Sequence, residues 1–156
     1  MKLQKQKSKD STLSILILMV ITLLYYNGYA QQPTLTWLGT LGGYKSEAYG
    51  ISDDGLVVTG YSMNPSSNPF AFRWTAANGM INLGTLGGTS STAAGISSDG
   101  NTIVGLADDS SDIYRAFKWT EADGMQDLGA GNYSKATSVS SNGTVITVNV
   151  NQMAYR

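Results

Sequence analysis

From residue 37 onward, apolar and polar positions alternate in short runs separated by glycine, and no run keeps the 3.6-residue period of a helix. In residues 70–75, Phe72 and Trp74 fall on one face and Ala71, Arg73 and Thr75 on the other, the alternation of a half-buried strand. Asp54-Gly55 is a hairpin turn in which glycine takes the positive φ that other residues resist. Around it the pattern predicts a strand over 46–52 and an antiparallel return over 56–62. A polar loop with Pro65 and Pro69 leads to the strand over 70–75, and Asn78-Gly79 turns the chain into a fourth strand over 80–84.

This four-strand pattern recurs. Laid over 82–126 without a gap, residues 37–81 are identical at 22 of 45 positions. Leu38-Gly39-Thr40-Leu41-Gly42-Gly43 returns as Leu83-Gly84-Thr85-Leu86-Gly87-Gly88 and restarts as Leu128-Gly129-Ala130 before the third unit, 127–156, shortens by two residues. Gly50-Ile51-Ser52-Asp53-Asp54-Gly55 returns as Gly95-Ile96-Ser97-Ser98-Asp99-Gly100, and more loosely as Val139-Ser140-Ser141-Asn142-Gly143. Ala71-Phe72-Arg73-Trp74-Thr75 returns as Ala116-Phe117-Lys118-Trp119-Thr120 and then as Ala154-Tyr155-Arg156. The fold class expected is therefore all-β: tandem four-stranded antiparallel units of 45 residues resembling β-propeller blades. Two units and part of a third are too few to close a ring of about four to eight blades, so the array reads as an incomplete or partial propeller, and the count favours a piece of a longer array. Open sheet edges make self-association an expected property, because unpaired N–H and C=O groups seek partners.

The first thirty residues follow a different pattern. Lys2, Lys5, Lys7 and Lys9 precede an apolar run over 13–26 interrupted only by Ser14 and Thr22, and Gly28 and Ala30 flank Tyr29 as a signal-peptidase site requires. Residues 1–30 are accordingly expected to be a cleaved signal peptide, with 31–156 as the mature β-repeat domain. The run of 14 residues is shorter than the roughly 20 that span a bilayer, so no stable membrane insertion is expected after cleavage. The location expected is secreted, extracellular or at the cell surface, with the periplasm as the other compartment this signal serves.

Composition narrows the function. Beyond residue 30 there remain six basic and ten acidic residues, a net charge near −4 with no Lys/Arg cluster, which excludes the electrostatic footprint of a nucleic-acid binder. The absence of Cys excludes disulfides and a Cys-linked lipid. The absence of His removes the commonest general base and metal ligand together.

The ordered motifs resemble the bacterial extracellular HAF repeats, named for a His-Ala-Phe motif. The family's units look like Leu-Gly-x-Leu-Gly-Gly, Ala-x-Gly-Ile-Ser-x-Asp-Gly, Ala-Phe-x-Trp-Thr and Gly-Met-x-x-Leu-Gly; here these are residues 38–43, 48–55, 71–75 and 79–84, with a second set 45 residues later. The His position holds Phe70 in the first copy and Arg115 in the second. The resemblance implies an exported protein with propeller-like repeats and no assigned activity, and it carries over no catalytic, cofactor or metal residue.

The remaining candidates have structural explanations beside functional ones. The Leu-Gly-Thr-Leu-Gly-Gly segments match neither nucleotide-binding fingerprint and are read as turns between units. Asp53, Asp54, Asp99, Asp108, Asp109 and Asp112 lack calcium-loop spacing; Asp54 and Asp99 are expected to form turns, and 108–112 a solvated loop. Glu47 and Glu121 recur at no phase that would pair acids across a cleft. Phe72, Trp74, Phe117 and Trp119, kept in phase, are expected between adjacent units as core. Tyr44, Tyr49, Tyr61 and Tyr114, not kept in phase, are the candidates for a contact surface. Arg73, Lys118 and Arg156 share a phase and are expected to pair with nearby carboxylates. Asn132-Tyr133-Ser134 and Asn142-Gly143-Thr144 match the N-glycosylation pattern, idle in a bacterium. The function expected is a non-catalytic structural or interaction module that meets an extracellular protein or glycan, with no cofactor; the alternative is a carboxylate-dependent hydrolase of extracellular glycans on a propeller scaffold.

Overall fold

The computed structural model describes residues 34–156; the expected signal peptide lies outside the described residues. Trp37–Arg156 forms one compact unit of antiparallel sheets, with no helix among the described residues. The first sheet is the meander β1 (Ser46–Ile51), β2 (Val57–Met63), β3 (Pro69–Thr75) and β4 (Gly79–Asn82). The second repeats it as β5 (Gly87–Ile96), β6 (Ile103–Asp109), β7 (Tyr114–Thr120) and β8 (Gly124–Asp127). The third has three strands, β9 (Ser134–Val139), β10 (Ile146–Val150) and β11 (Met153–Tyr155). The all-β, tandem four-stranded architecture expected from the period is thus present, and the strands of the first unit fall within a residue or two of their expected bounds.

Register repeats with the sequence. Gly60 stands opposite Phe72 in the first sheet, as Gly105 stands opposite Phe117 in the second. Each of these glycines also faces a bulged neighbour strand, where the register shifts between Ala48 and Gly50 or between Ala93 and Gly95. The bulge pushes a carbonyl into the space of a side chain: a Cβ at Gly60 would lie 2.0 Å from the Glu47 oxygen, and one at Gly105 2.0 Å from the Thr92 oxygen. No other residue fits there without moving β1 or β5.

The sheets bury their faces against one another. Ala71, Leu83, Ala93, Ile103, Ala107 and Phe117 form the core between the first and second sheets, flanked by Leu86, Ile96, Trp119 and Met125. Val104, Ala116, Ala136 and Val148 form the core between the second and third, flanked by Leu128, Ala130, Val139, Ile146 and Val150. Phe72 and Phe117 are fully buried, and Trp119 packs on the first core. Two details differ from the alternation pattern. Ala71 and Ala116, placed by that pattern on the open face of a half-buried strand, are fully buried, because the next sheet lies on that face and needs a small residue there. Tyr155, in phase with Phe117, is 54% exposed; it stands opposite Val148, where Phe117 stands opposite Gly105.

Each joint is also stitched by polar groups. The buried Ser91 Oγ, on β5 of the second sheet, accepts the Ala71 N–H of the first at 2.9 Å and donates to the Gly84 carbonyl at 2.6 Å. Ser134 repeats this toward Ala116 N–H (2.9 Å) and the Gly131 carbonyl (2.6 Å). The other side of each alanine is also occupied, since its carbonyl accepts the N–H of Leu83 or Leu128 at 2.9 Å. The hairpin turns of successive sheets join as well, Asp53 N–H to the Ser98 carbonyl at 3.0 Å and Ser98 N–H to the Ser141 carbonyl at 3.1 Å. Deleting one serine hydroxyl leaves a buried backbone N–H unpaired, so Ser91→Ala and Ser134→Ala are each expected to lower unfolding free energy by about 1–3 kcal/mol in urea denaturation. Ser138→Ala, at an exposed position of β9, is the control, and a Ser91→Ala variant as stable as that control would contradict the assignment.

Candidate functional site

The acidic residues resolve first, because the backbone uses them. Ser52 Oγ donates to Asp54 Oδ1 at 2.6 Å and accepts the Val57 N–H at 3.0 Å, while Asp54 Oδ1 accepts the Leu56 N–H at 2.9 Å. Ser97, Asp99, Asn101 and Thr102 build the same turn in the second sheet. In the third, Ser140, Asn142, Thr144 and Val145 build it with an amide in place of the carboxylate. These hydrogen bonds hold both carboxyls below the usual range: the Ser52 hydroxyl is the main cause for Asp54, and the Ser97 hydroxyl for Asp99. Asp54 and Asp99 are therefore turn formers, as their position before glycine implied.

The loop over 108–112 is more ordered than a solvated loop. Asp109 Oδ1 accepts the Ser111 and Ile113 N–H groups at 2.8 and 3.1 Å, the arrangement Asn64 makes one period earlier toward Ser66 and Asn68. Arg115 brings Nε to Asp109 Oδ2 at 2.6 Å and Nη1 to Asp127 at 3.8 Å. Beside that guanidinium the Asp109 carboxyl is held low. Ser90 donates to Asp108 across the same loop. Among the described residues no group of three or more acidic side chains is placed to hold a metal ion. Arg73 and Lys118, expected to pair with carboxylates, make no ion pair among the described residues; their strand partners, Thr59 and Ile81 for Arg73 and Val104 and Gln126 for Lys118, include no acid.

The tyrosines sort into two clusters. On the first sheet Tyr49 and Tyr61 lie with ring centres 5.7 Å apart, Lys45 Nζ stands 5.5 Å from the Tyr61 ring, and Glu47 joins Lys45 at 2.6 Å and the Tyr49 hydroxyl at 2.7 Å. The Glu47 hydrogen bond pushes the Tyr49 phenol up to about 12. This group satisfies itself across the surface. Tyr44 is exposed and belongs to neither cluster.

The second cluster borders a cleft. Tyr114 at the start of β7 and Tyr133 just before β9 meet edge to face, 5.3 Å between ring centres and 71° between planes. With Leu106, Lys135, Asn149 and Gln152 they line a cleft of about 340 Å³. Two of its lining residues, Tyr133 (φ 56°) and Gln152 (φ 69°), hold the left-handed backbone region that favours glycine, and Asn151 beside them (φ 47°) does too. The sequence pointed to Tyr114 and missed Tyr133. The two-residue shortening of the third unit removes any in-phase counterpart with which Tyr133 could be compared, and its one visible signal was the Asn132-Tyr133-Ser134 triplet.

No family model matches the chain, and no curated protein matches it.

The turn carboxylates set an acid limit. Their folded-state pKa values lie below the unfolded ones, so their contribution is complete above the ordinary Asp range and is lost as pH falls through the depressed values, below about pH 4. Asp54→Asn with Asp99→Asn keeps an acceptor at each turn, as Asn142 does, and is expected to flatten that acid limb while leaving the melt at neutral pH little changed. Thermal melts from pH 2 to 7 check this; an acid limb identical to wild type would contradict it.

Proposed function

We propose that the chain is an exported, non-catalytic β-repeat module of the HAF-repeat type, and that it holds a glycan at the cell exterior in the cleft of Tyr114 and Tyr133. The observation that carries this reading is the pair of tyrosine rings meeting at a cleft whose other polar walls are Lys135, Asn149 and Gln152. A sugar ring has an apolar C–H face and a rim of hydroxyls; phenol rings offer area to the first, and amides and an ammonium offer donors and acceptors to the second. A volume of 340 Å³ falls in the range of small-ligand sites. The left-handed backbone at Tyr133 and Gln152 adds support, since such conformations carry a free-energy cost and gather at ligand sites.

The hydrolase alternative needs two acids facing one cleft, a few ångströms apart. The cleft lining contains no Asp or Glu, and Asp54, Asp99 and Asp109 are engaged by turn and loop hydrogen bonds. Both facts favour binding over turnover.

A glycan array probed with the full chain, Tyr114→Ala and Tyr133→Ala tests the reading. The expected result is a defined set of bound glycans, with binding weakened about tenfold in each variant and unchanged in Tyr44→Ala. An array with no bound glycan, or one on which Tyr133→Ala binds as wild type, would overturn it.

A further inference from the structure

Beyond residue 30 the dipeptide Asn-Gly occurs twice, as Asn78-Gly79 in the turn between β3 and β4 and as Asn142-Gly143 in the turn between β9 and β10. Both asparagines are exposed, but their surroundings differ. Asn142 Oδ1 accepts the Ser140 hydroxyl at 2.7 Å, the Thr144 hydroxyl at 2.8 Å and the Thr144 N–H at 3.2 Å. Gly143 beside it is buried, and a Cβ there would lie 2.6 Å from Thr102 Oγ1. The Asn78 side chain makes no hydrogen bond among the described residues, and a Cβ at Gly79 would have nothing within 4 Å of it. The second unit shows what an acid does at this turn. Asp123-Gly124 stands one period after Asn78-Gly79, with Gly124 at φ 68° where Gly79 is at φ 67°. In each turn a threonine Oγ1 accepts the N–H of the residue before the glycine, Thr75 from Asn78 at 3.2 Å and Thr120 from Asp123 at 3.1 Å. Thr120 also donates to Asp123 Oδ2 at 2.9 Å, whereas the Thr75 hydroxyl finds no acceptor among the described residues.

We propose that Asn78 is a site of spontaneous covalent modification, converted in the folded chain to aspartate and its isomer while Asn142 is held as the amide. The Gly79 backbone nitrogen, unshielded by a Cβ, attacks Asn78 Cγ. The Cγ–Nδ2 bond breaks, Nδ2 leaves as ammonia with the proton of the glycine N–H, and a cyclic imide forms. Water then opens the imide at either carbonyl, giving aspartate or the isomer whose main chain runs through the side chain. One water is consumed and one ammonia released, with no oxidant or reductant. At Asn142 the same attack has to pull Oδ1 away from three donors, with Thr102 filling the space beside the glycine. Those contacts raise the barrier there and slow the conversion about tenfold or more relative to Asn78. The aspartate product suits the turn it enters, since it supplies the acceptor that Thr75 lacks and Thr120 already has. It also gives the first unit a negative charge at the place where the second carries Asp123. This chemistry is independent of the glycan reading.

The test is to hold the full chain folded at mildly basic pH, sample it over weeks, digest it with trypsin and read the peptides by mass spectrometry. Cleavage after Arg73, Arg115 and Lys135 places Asn78 and Asn142 on different peptides. Conversion, seen as the mass of a carboxyl in place of an amide, is expected at Asn78 about tenfold or more faster than at Asn142. In guanidinium chloride sufficient to unfold the chain, Asn142 is expected to convert as fast as Asn78, because the turn that restrains it is gone. Asn78→Asp, the product made genetically, is expected to melt at or above the wild-type temperature at neutral pH. An Asn78 that keeps its amide as long as Asn142 in the folded chain, an Asn142 that lags equally when unfolded, or an Asn78→Asp variant that melts below wild type would each overturn the inference.

Discussion

The structure depends on covering both faces of a strand that carries a large ring on one side and a small residue on the other. In β7, Phe117 faces the first sheet and Ala116 the third, and both are fully buried. A four-stranded sheet with two apolar faces cannot satisfy them alone, so the unit is stable as a member of a stack, the condition general to repeat proteins. The hydroxyl of Ser91 or Ser134 completes the joint by taking the one N–H of the alanine that the strand ladder leaves over. Apolar burial brings the sheets together, and this bond fixes how far one slides along the other. A buried N–H without its acceptor would cost about as much as the bond contributes, or more.

The same period distributes chemistry away from the joints. Carboxylates sit at the hairpin turns, where one Oδ accepts a hydroxyl and a backbone N–H, and Asn142 shows that the turn needs an acceptor and not a charge. Where the units differ, the surface acquires character: Asn64 becomes Asp109, Phe70 becomes Arg115, and the loop gains an ion pair. The third unit, shorter by two residues before β9, brings Tyr133 against Tyr114. The cleft therefore arises where the repeat is broken, which is where a stack of otherwise equivalent units can become specific.

Much of the fold was legible because the period is long and the motifs are ordered. Asp54-Gly55 and Asn78-Gly79 marked turns, and the alternation around Phe72 and Trp74 marked the strand that carries the core. The burial of Ala71 and Ala116 was not legible, since alternation on one strand says which residues share a face and not whether a second sheet covers the other. The exposure of Tyr155 was not legible either, since its phase matches that of Phe117 although it stands opposite Val148 where Phe117 stands opposite Gly105. The site was half legible. Tyr114 stood out by failing to repeat, whereas Tyr133 and the left-handed backbone at Gln152 depend on a loop length that no in-phase comparison reaches.

Native-state amide exchange followed by NMR tests the joint most directly. The N–H groups of Ala71 and Ala116 bond to a serine of the next sheet and to no strand partner. If the stacked sheets are one cooperative unit, both amides exchange as slowly as ladder amides at the centres of β2 and β6, through global unfolding. Exchange of Ala71 and Ala116 at the rate of open-edge amides, while those ladder amides stay protected, would mean that the sheets fold singly and that the joint is not what holds them.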